Sequence, residues 1–254
     1  MLADLLALAC GSLVGFSLAL IGGGGSILAT PMLLYVVGLH DPHLAIGTSA
    51  VAVASNAFIN LVPHARAGHV RWPAALTFAA TGVLGAFAGS TLGKRVDGHH
   101  LLVLFAMLML VVAALMLHGR RNAAGGSYPK PRLFPRLAAT GFGAGALSGF
   151  FGIGGGFLIV PGLIFASGME IIAAIGSSLV AVGAFASTTA INYAASGLVE
   201  WRVAGLFVAG GIAGGWLGAR LASRLARTRG ALNLVFAVAV VVVAGYMLVR
   251  NLHV

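Results

Sequence analysis

The stretches that decide the fold are IGGGGSILATP, residues 21–31, and its second copy FGIGGGFLIVP, residues 151–161. Each interrupts a long apolar run with glycines, resumes it, and closes on a proline, Pro31 or Pro161. Glycine has no Cβ, so a cluster of them lets a helix break and lets backbone approach a ligand. Inside a bilayer such a break leaves amide groups that protein, water or solute must pair. Broken segments in matching positions of two halves point to a solute-binding site.

The surroundings of these stretches are those of a membrane protein. Of 254 residues, 59% are hydrophobic and only 8% charged, with a formal net charge of +10. A soluble domain carries about a quarter charged residues, so most of this surface faces lipid. The basic residues sit in short loops between apolar spans, which is the pattern of topology determinants and not of a nucleic-acid face. The single cysteine, Cys10, excludes an internal disulfide and any Cys-based metal site. No metal or cofactor is expected.

Residues 2–38 form one apolar tract broken only at Gly22 to Gly25. As a straight helix it would be about 55 Å long against a hydrocarbon core of about 30 Å. The tract therefore passes twice, as two spans or as a re-entrant hairpin turning at the glycines; the short second arm, 26–38, favours a hairpin or a tilted half-helix. Asp41 and Pro42 then suit a helix start. Spans over 43–62, 73–92 and 99–117 follow, and residues 119–136, rich in Gly, Pro and basic side chains, read as a solvent-exposed linker.

The second half repeats the first. Gly11, Gly15, Gly24, Gly25 and Pro31 recur 130 residues later as Gly141, Gly145, Gly154, Gly155 and Pro161. After a one-residue deletion AIGTS at 45–49 matches AIGSS at 174–178, Gly68 and Trp72 match Gly197 and Trp201, and Gly82, Gly85 and Gly89 match Gly211, Gly214 and Gly218. This is a duplication. The expected plan is all-α: a first transmembrane repeat over 1–118, a cytoplasmic linker over 119–136 and a second repeat over 137–254. Each half has an odd number of passes, so the second is expected to be inverted relative to the first. Positive charge agrees: inverted halves put eleven Lys and Arg on the linker side and four (Lys94, Arg95, Arg202, Arg250) on the other, whereas parallel halves divide them nine to six. Both termini then lie outside.

Two glycine-rich segments ending in proline, each followed by an A-I-G-[TS]-S helix start and later by a Gly-x-x-x-Trp turn, resemble the TauE/SafE sulfite exporter family, also called the toluene sulfonate uptake permeases. The resemblance covers nearly the whole chain apart from the linker. It implies a multi-pass carrier in a bacterial inner membrane that moves sulfur-containing oxyanions such as sulfite, sulfonates or sulfoacetate, generally outward. The first copy has Gly23, Gly24, Gly25 and Ser26 where the second has Ile153, Gly154, Gly155 and Gly156, so the two half-sites differ.

The polar inventory suits an anion. All five acidic residues, Asp4, Asp41, Asp97, Glu170 and Glu200, fall at span ends or in loops. A cation carrier is expected to bury a carboxylate; an anion carrier can use the free amides and partial positive charge where a broken helix begins. Gly23, Gly24, Gly25, Gly154, Gly155 and Gly156 are thus the expected ligand backbone, against the plainer reading that the glycines only permit close packing. Thr48 and Ser49, matched by Ser177 and Ser178, offer hydroxyl donors, and Ser26 joins them. For these hydroxyls, back-bonding to their own helix is an equal reading. Asp41 caps one of the two helix starts, and Ser167 with Glu170 is expected to form a capping box on the other. Ser49, Asn56 and Asn60 share one helix face. Asn56 and Asn60 are costly to bury, which favours a functional role.

The expected partners are a small-molecule anion and the lipid bilayer, with no nucleic acid. The small-residue faces at Gly82, Gly85 and Gly89 and their repeats can pack within the chain or between copies in a homo-oligomer. A potential of about 100 mV, inside negative, holds a monovalent anion roughly fifty-fold lower inside, so export needs no coupling ion. The expected mechanism is export by alternating access around glycine breaks near the midplane; an anion channel, or an organosulfonate uptake carrier coupled to an ion, is the alternative. An enzyme would need a nucleophile with a base or a metal constellation, and no such grouping stands out.

Overall fold

A computed structural model describes residues 2–118, 130–152, 156–225 and 229–252. It is all helix, with no strand among the described residues. Helix α1 (Leu2–Ile21) runs into a 3₁₀ stretch (Gly22–Leu28), a short α2 (Ala29–Met32) and a π-helical turn (Leu33–Val37). Then come α3 (Pro42–Arg66), α4 (Trp72–Gly93), α5 (Gly98–His118), α6 (Lys130–Phe151), α7 (Gly156–Ser167), α8 (Ile171–Ala194), α9 (Trp201–Leu225) and α10 (Arg229–Leu252). By length and composition, segments Leu2–Leu20, Pro42–Arg66, Trp72–Gly93 and Ile171–Ala194 can each cross a membrane. Shorter apolar helices cover Gly25–Val37, Gly98–Val111, Leu158–Ser167 and Val240–Arg250.

Two expectations need correcting. Residues 119–129 of the expected linker lie outside the described residues, but 130–136 are the first turns of α6; Pro131 suits an opening turn, whose N–H groups have no intrahelical acceptor anyway. The capping box at Ser167 and Glu170 does not form. Ser167 ends α7 and donates its hydroxyl to the Leu163 carbonyl at 2.6 Å, while Glu170 is itself the N-cap of α8 and makes no side-chain cap bond. Asp41 does cap α3, accepting from the His43 and Leu44 amides at 2.7 and 3.3 Å.

Glycines set how the helices meet. A Cβ on Gly15 would overlap the Gly211 carbonyl of α9, and one on Gly145 would overlap the Gly82 carbonyl of α4. These are matching contacts, because Gly145 and Gly211 are the repeats of Gly15 and Gly82. The reciprocity is general: Gly11 meets Phe207 as Gly141 meets Phe78, and Gly214 meets Ser12 as Gly85 meets Phe142. Helix α1 thus packs into a groove on α9, and α6 into one on α4. The small faces of α4 and α9 are consumed inside the chain.

The same contacts give helix directions. Along α1 and α9 the numbers rise together (Gly11 with Phe207, Gly15 with Gly211, Phe16 with Gly218), so these helices are parallel. Asn56 and Asn60 meet Gly211 and Gly215 in turn, so α3 is parallel to α9 as well. Helices α3 and α8, which are repeat counterparts, run antiparallel: Gly47 meets Leu198, Phe58 meets Gly183, and His69 meets Gly176. Since α1 and α3 point the same way, residues 22–37 must carry the chain back between them. The turn is made at Gly22, whose φ of +72° is open to glycine and strained for other residues, and Gly25 folds back onto Ser17 and Leu18. Seven 3₁₀ residues at about 2.0 Å and nine at about 1.5 Å give the return tract a rise of roughly 27 Å, close to the 30 Å of α1. The 3₁₀ geometry is what lets so short an arm reach.

Candidate functional site

The crossing of α3 and α8 locates the centre. Pairs such as Phe58 with Gly183 converge on Asn56 and its repeat counterpart Phe185, halfway along the two helices. Asn56 is fully buried, and among the described residues neither its amide nitrogen nor its amide oxygen has a hydrogen-bond partner. It lies flat against Gly211, just as Phe185 lies against Gly82 while stacking on Phe78 with centroids 6.1 Å apart. A polar amide therefore occupies one side of the centre and an aromatic pair the other. Asn60, one turn on, donates its amide to the Asn56 backbone carbonyl at 2.9 Å.

The hydroxyls divide between the two ends. Thr48 accepts the Glu200 N–H at 2.9 Å and Ser177 accepts the Arg71 N–H at 2.9 Å, which are again matching contacts. Each fastens the loop that opens α9 or α4 to the other half. Ser49 donates to the Ile46 carbonyl at 2.9 Å, which uses its one proton, so the buried Thr30 hydroxyl donates to Ser49 across 2.8 Å. Ser178 donates to the Ile175 carbonyl at 2.7 Å and faces Gly22. Thr48 and Ser49 thus sit toward the start of α3, and Ser177 and Ser178 toward its end. They do not form one cage.

The glycine breaks straddle the centre. Gly15 shares the depth of Asn56 through Gly211, and Gly22 is seven residues farther, about 10 Å along a helix. Its neighbours there are Ile175 and Ser178, and the Ala19 carbonyl nearby is 3.4 Å from His64 Nε2 near the end of α3. Gly152, with φ +67°, meets Ile46 near the opposite end. The expectation that both breaks meet at the midplane is corrected accordingly: a turn that must reverse the chain has to lie near the far end of α1. What reaches the middle is the return arm. Gly23 and Gly24 belong to its 3₁₀ stretch, buried Ser26 lies between the turn and Thr30, and the stretch packs against α7, which Gly156 opens. Gly154 and Gly155 lie outside the described residues.

Residues 7–247 match the family model described as "Sulfite exporter TauE/SafE". The chain belongs to the TauE/SafE family. It is 54% identical over 243 residues to a "Probable membrane transporter protein" of Xylella fastidiosa, covering 95% of this chain and 93% of that one. It is also 25% identical over 213 residues to the "Probable membrane transporter protein YdhB" of Bacillus subtilis, covering 82% of this chain and 86% of the relative. No solved structure matches the chain. This TauE/SafE protein is therefore a multi-pass membrane protein of a transporter family with bacterial homologues.

Sequence reasoning missed two polar links. Thr30 was legible as the one polar residue between Ser26 and Pro31. Lys94, a topology charge by its place in the sequence, donates from its ammonium to the Asn192 backbone and side-chain oxygens at 3.0 and 2.8 Å and to Ser196 Oγ at 2.8 Å, tying the end of α4 to the end of α8. Nothing near Lys94 in the sequence signals partners 98 and 102 residues away.

Proposed function

We propose that this chain exports a small sulfur-containing oxyanion of the sulfite, sulfonate or sulfoacetate type, by alternating access between two inverted repeats. The observation that carries the reading is Asn56: a buried amide whose donor and acceptor are both unpaired among the described residues, at the crossing of the two repeat counterparts. Leaving such a group unpaired costs about 1–3 kcal/mol, a cost that a ligand whose oxygens accept from the amide N–H would offset in part. The solute's path runs from one glycine turn to the other, past Ser26 and Asn56, with the amides at Gly23 to Gly25 and Gly154 to Gly156 as donors along it. Phe185 and Phe78 form the wall facing Asn56.

Inversion is supported by the antiparallel pairing of α3 with α8. Those directions also gather Lys94, Arg95, Arg202 and Arg250 at the end where α1 begins, with Arg202 paired to Asp4 at 3.1 Å, and leave Arg66 and Arg71 at the other. That is the division the positive-inside rule requires for termini outside. Export under an inside-negative potential needs no coupling ion, in keeping with acidic residues that are confined to span ends and loops.

The test is thermal stability of the detergent-purified protein across sulfite, sulfate, thiosulfate, sulfoacetate, taurine and phosphate, repeated with Asn56→Ala. A solute that binds only the folded protein raises the melting temperature by mass action. One sulfur oxyanion stabilising the wild type and not the variant is the expected result. If no solute does so, or if the variant responds equally, the central site is wrong.

A further inference from the structure

At the end of the molecule where α3 and α5 begin and α10 ends, a cavity of about 240 Å³ lies between these helices and the last turn of the return tract. Arg250, His40 and His99 supply its polar wall, and Leu34, Leu39 and Leu102 much of its apolar wall. Arg250 is itself exposed and lies over the return tract: its guanidinium carbon is 5.1 Å from the Tyr35 ring centre, and it donates to the Tyr246 hydroxyl at 3.1 Å. Tyr35 and Tyr246 brace each other edge to face, with centroids 5.2 Å apart. A guanidinium carries five N–H donors in a fixed fork, so a ring face and one hydrogen bond orient it and leave most of its donors for a ligand.

The nearby carboxylates are engaged elsewhere. Asp41 accepts from the His43 and Leu44 amides at the start of α3, and Asp97 from the His99 and His100 amides at 3.0 and 3.4 Å at the start of α5. Neither lines the cavity. Among the described residues no carboxylate pairs with Arg250. Among the described residues the cavity therefore joins a guanidinium that has no carboxylate partner to a leucine wall.

We propose that it binds an oxyanion bearing a short apolar tail, with the head on Arg250 and His40 and the tail on the leucines, at a site separate from the central one. A phospholipid headgroup and a dissolved alkyl phosphate share this chemistry. Occupancy joins the end of the return tract to α5 and α10, so the ligand steadies the segment that follows the glycine break.

The purified full-length chain is titrated with dihexanoylphosphatidylglycerol, butyl phosphate and inorganic phosphate, following bound mass by native mass spectrometry together with thermal stability. Binding of the first or second that weakens roughly tenfold or more in Arg250→Gln, as the loss of a charge-assisted fork predicts, supports the site. The lipid alone binding assigns a headgroup; butyl phosphate binding as well assigns a dissolved anion. Tyr246→Phe, which removes only the hydroxyl that orients Arg250, should weaken the same ligand by a smaller factor and keeps the test open should Arg250→Gln fail to fold. Asn56→Ala should bind these probes as the wild type does, which separates this site from the central one. Binding unchanged in both variants, or no binding of any probe, overturns the proposal.

Discussion

Replacing Asn56 with leucine should stabilise the protein and silence it. The side chain is fully buried, with both polar amide atoms unpaired among the described residues. Relieving that loss is worth about 1–3 kcal/mol. Against this stands the tight contact with Gly211, where the bulkier leucine branch costs up to about 1.5 kcal/mol of overpacking. A net gain of about 1 kcal/mol should raise the melting temperature by about 2–4 °C for a chain of this size. The assay is thermal unfolding in detergent with and without the stabilising anion, paired with flux in proteoliposomes. The expected pattern is a higher melting temperature without ligand, no further rise with it, and no flux. A lower melting temperature together with an intact anion response would refute the reasoning, because it would show that the amide serves the fold and not the solute.

Three further outcomes follow from the packing. Lys94→Met removes three donated hydrogen bonds between α4 and α8, so amide hydrogen exchange should rise around Asn192 to Ser196 and stay unchanged near Arg71. Gly15→Val and Gly145→Val should each destabilise by about 1–3 kcal/mol or more and to a similar extent, since they overlap matching carbonyls, whereas Gly205→Ala, with open space around it, should be neutral or gain up to about 1 kcal/mol from helix propensity; unequal losses in the glycine pair would count against the reciprocal packing. The Asp97 carboxyl is held below its ordinary range, first by the His100 amide and then by the His100 ring. A depressed carboxyl contributes stability above its unfolded value and loses it as pH falls through the folded one, so exchange at the start of α5 should quicken only in that acidic window, and Asp97→Asn should abolish the change.

Much of the architecture was legible because the duplication fixed it. The repeat register, the spans over 43–62 and 73–92, a helix over 99–117, the Asp41 cap and the chain reversal at Gly22 to Gly25 all follow from local chemistry and parity. The depth of the breaks was not legible: whether α1 stops at mid-bilayer or crosses fully depends on how far the return arm can stretch, and nothing in Gly22 to Leu28 announces a 3₁₀ rise. Nor could the sequence show that Thr48 and Ser177 are engaged by backbone amides, 152 and 106 residues away. Asn56 was legible as an expensive residue, and its isolation at the crossing came only from packing. The Ser167 and Glu170 pattern misled because Ser167 had a nearer acceptor in the helix it ends.

The central claim is outward carriage of a sulfur oxyanion by a site exposed alternately to the two sides. Its most direct test is radiolabelled sulfite flux in proteoliposomes of the wild type and Asn56→Leu, under an imposed potential and with unlabelled sulfite on the opposite face. The account predicts saturable flux toward the positive side, accelerated counterflow, and loss of both in the variant. Flux that never saturates and shows no counterflow would contradict it.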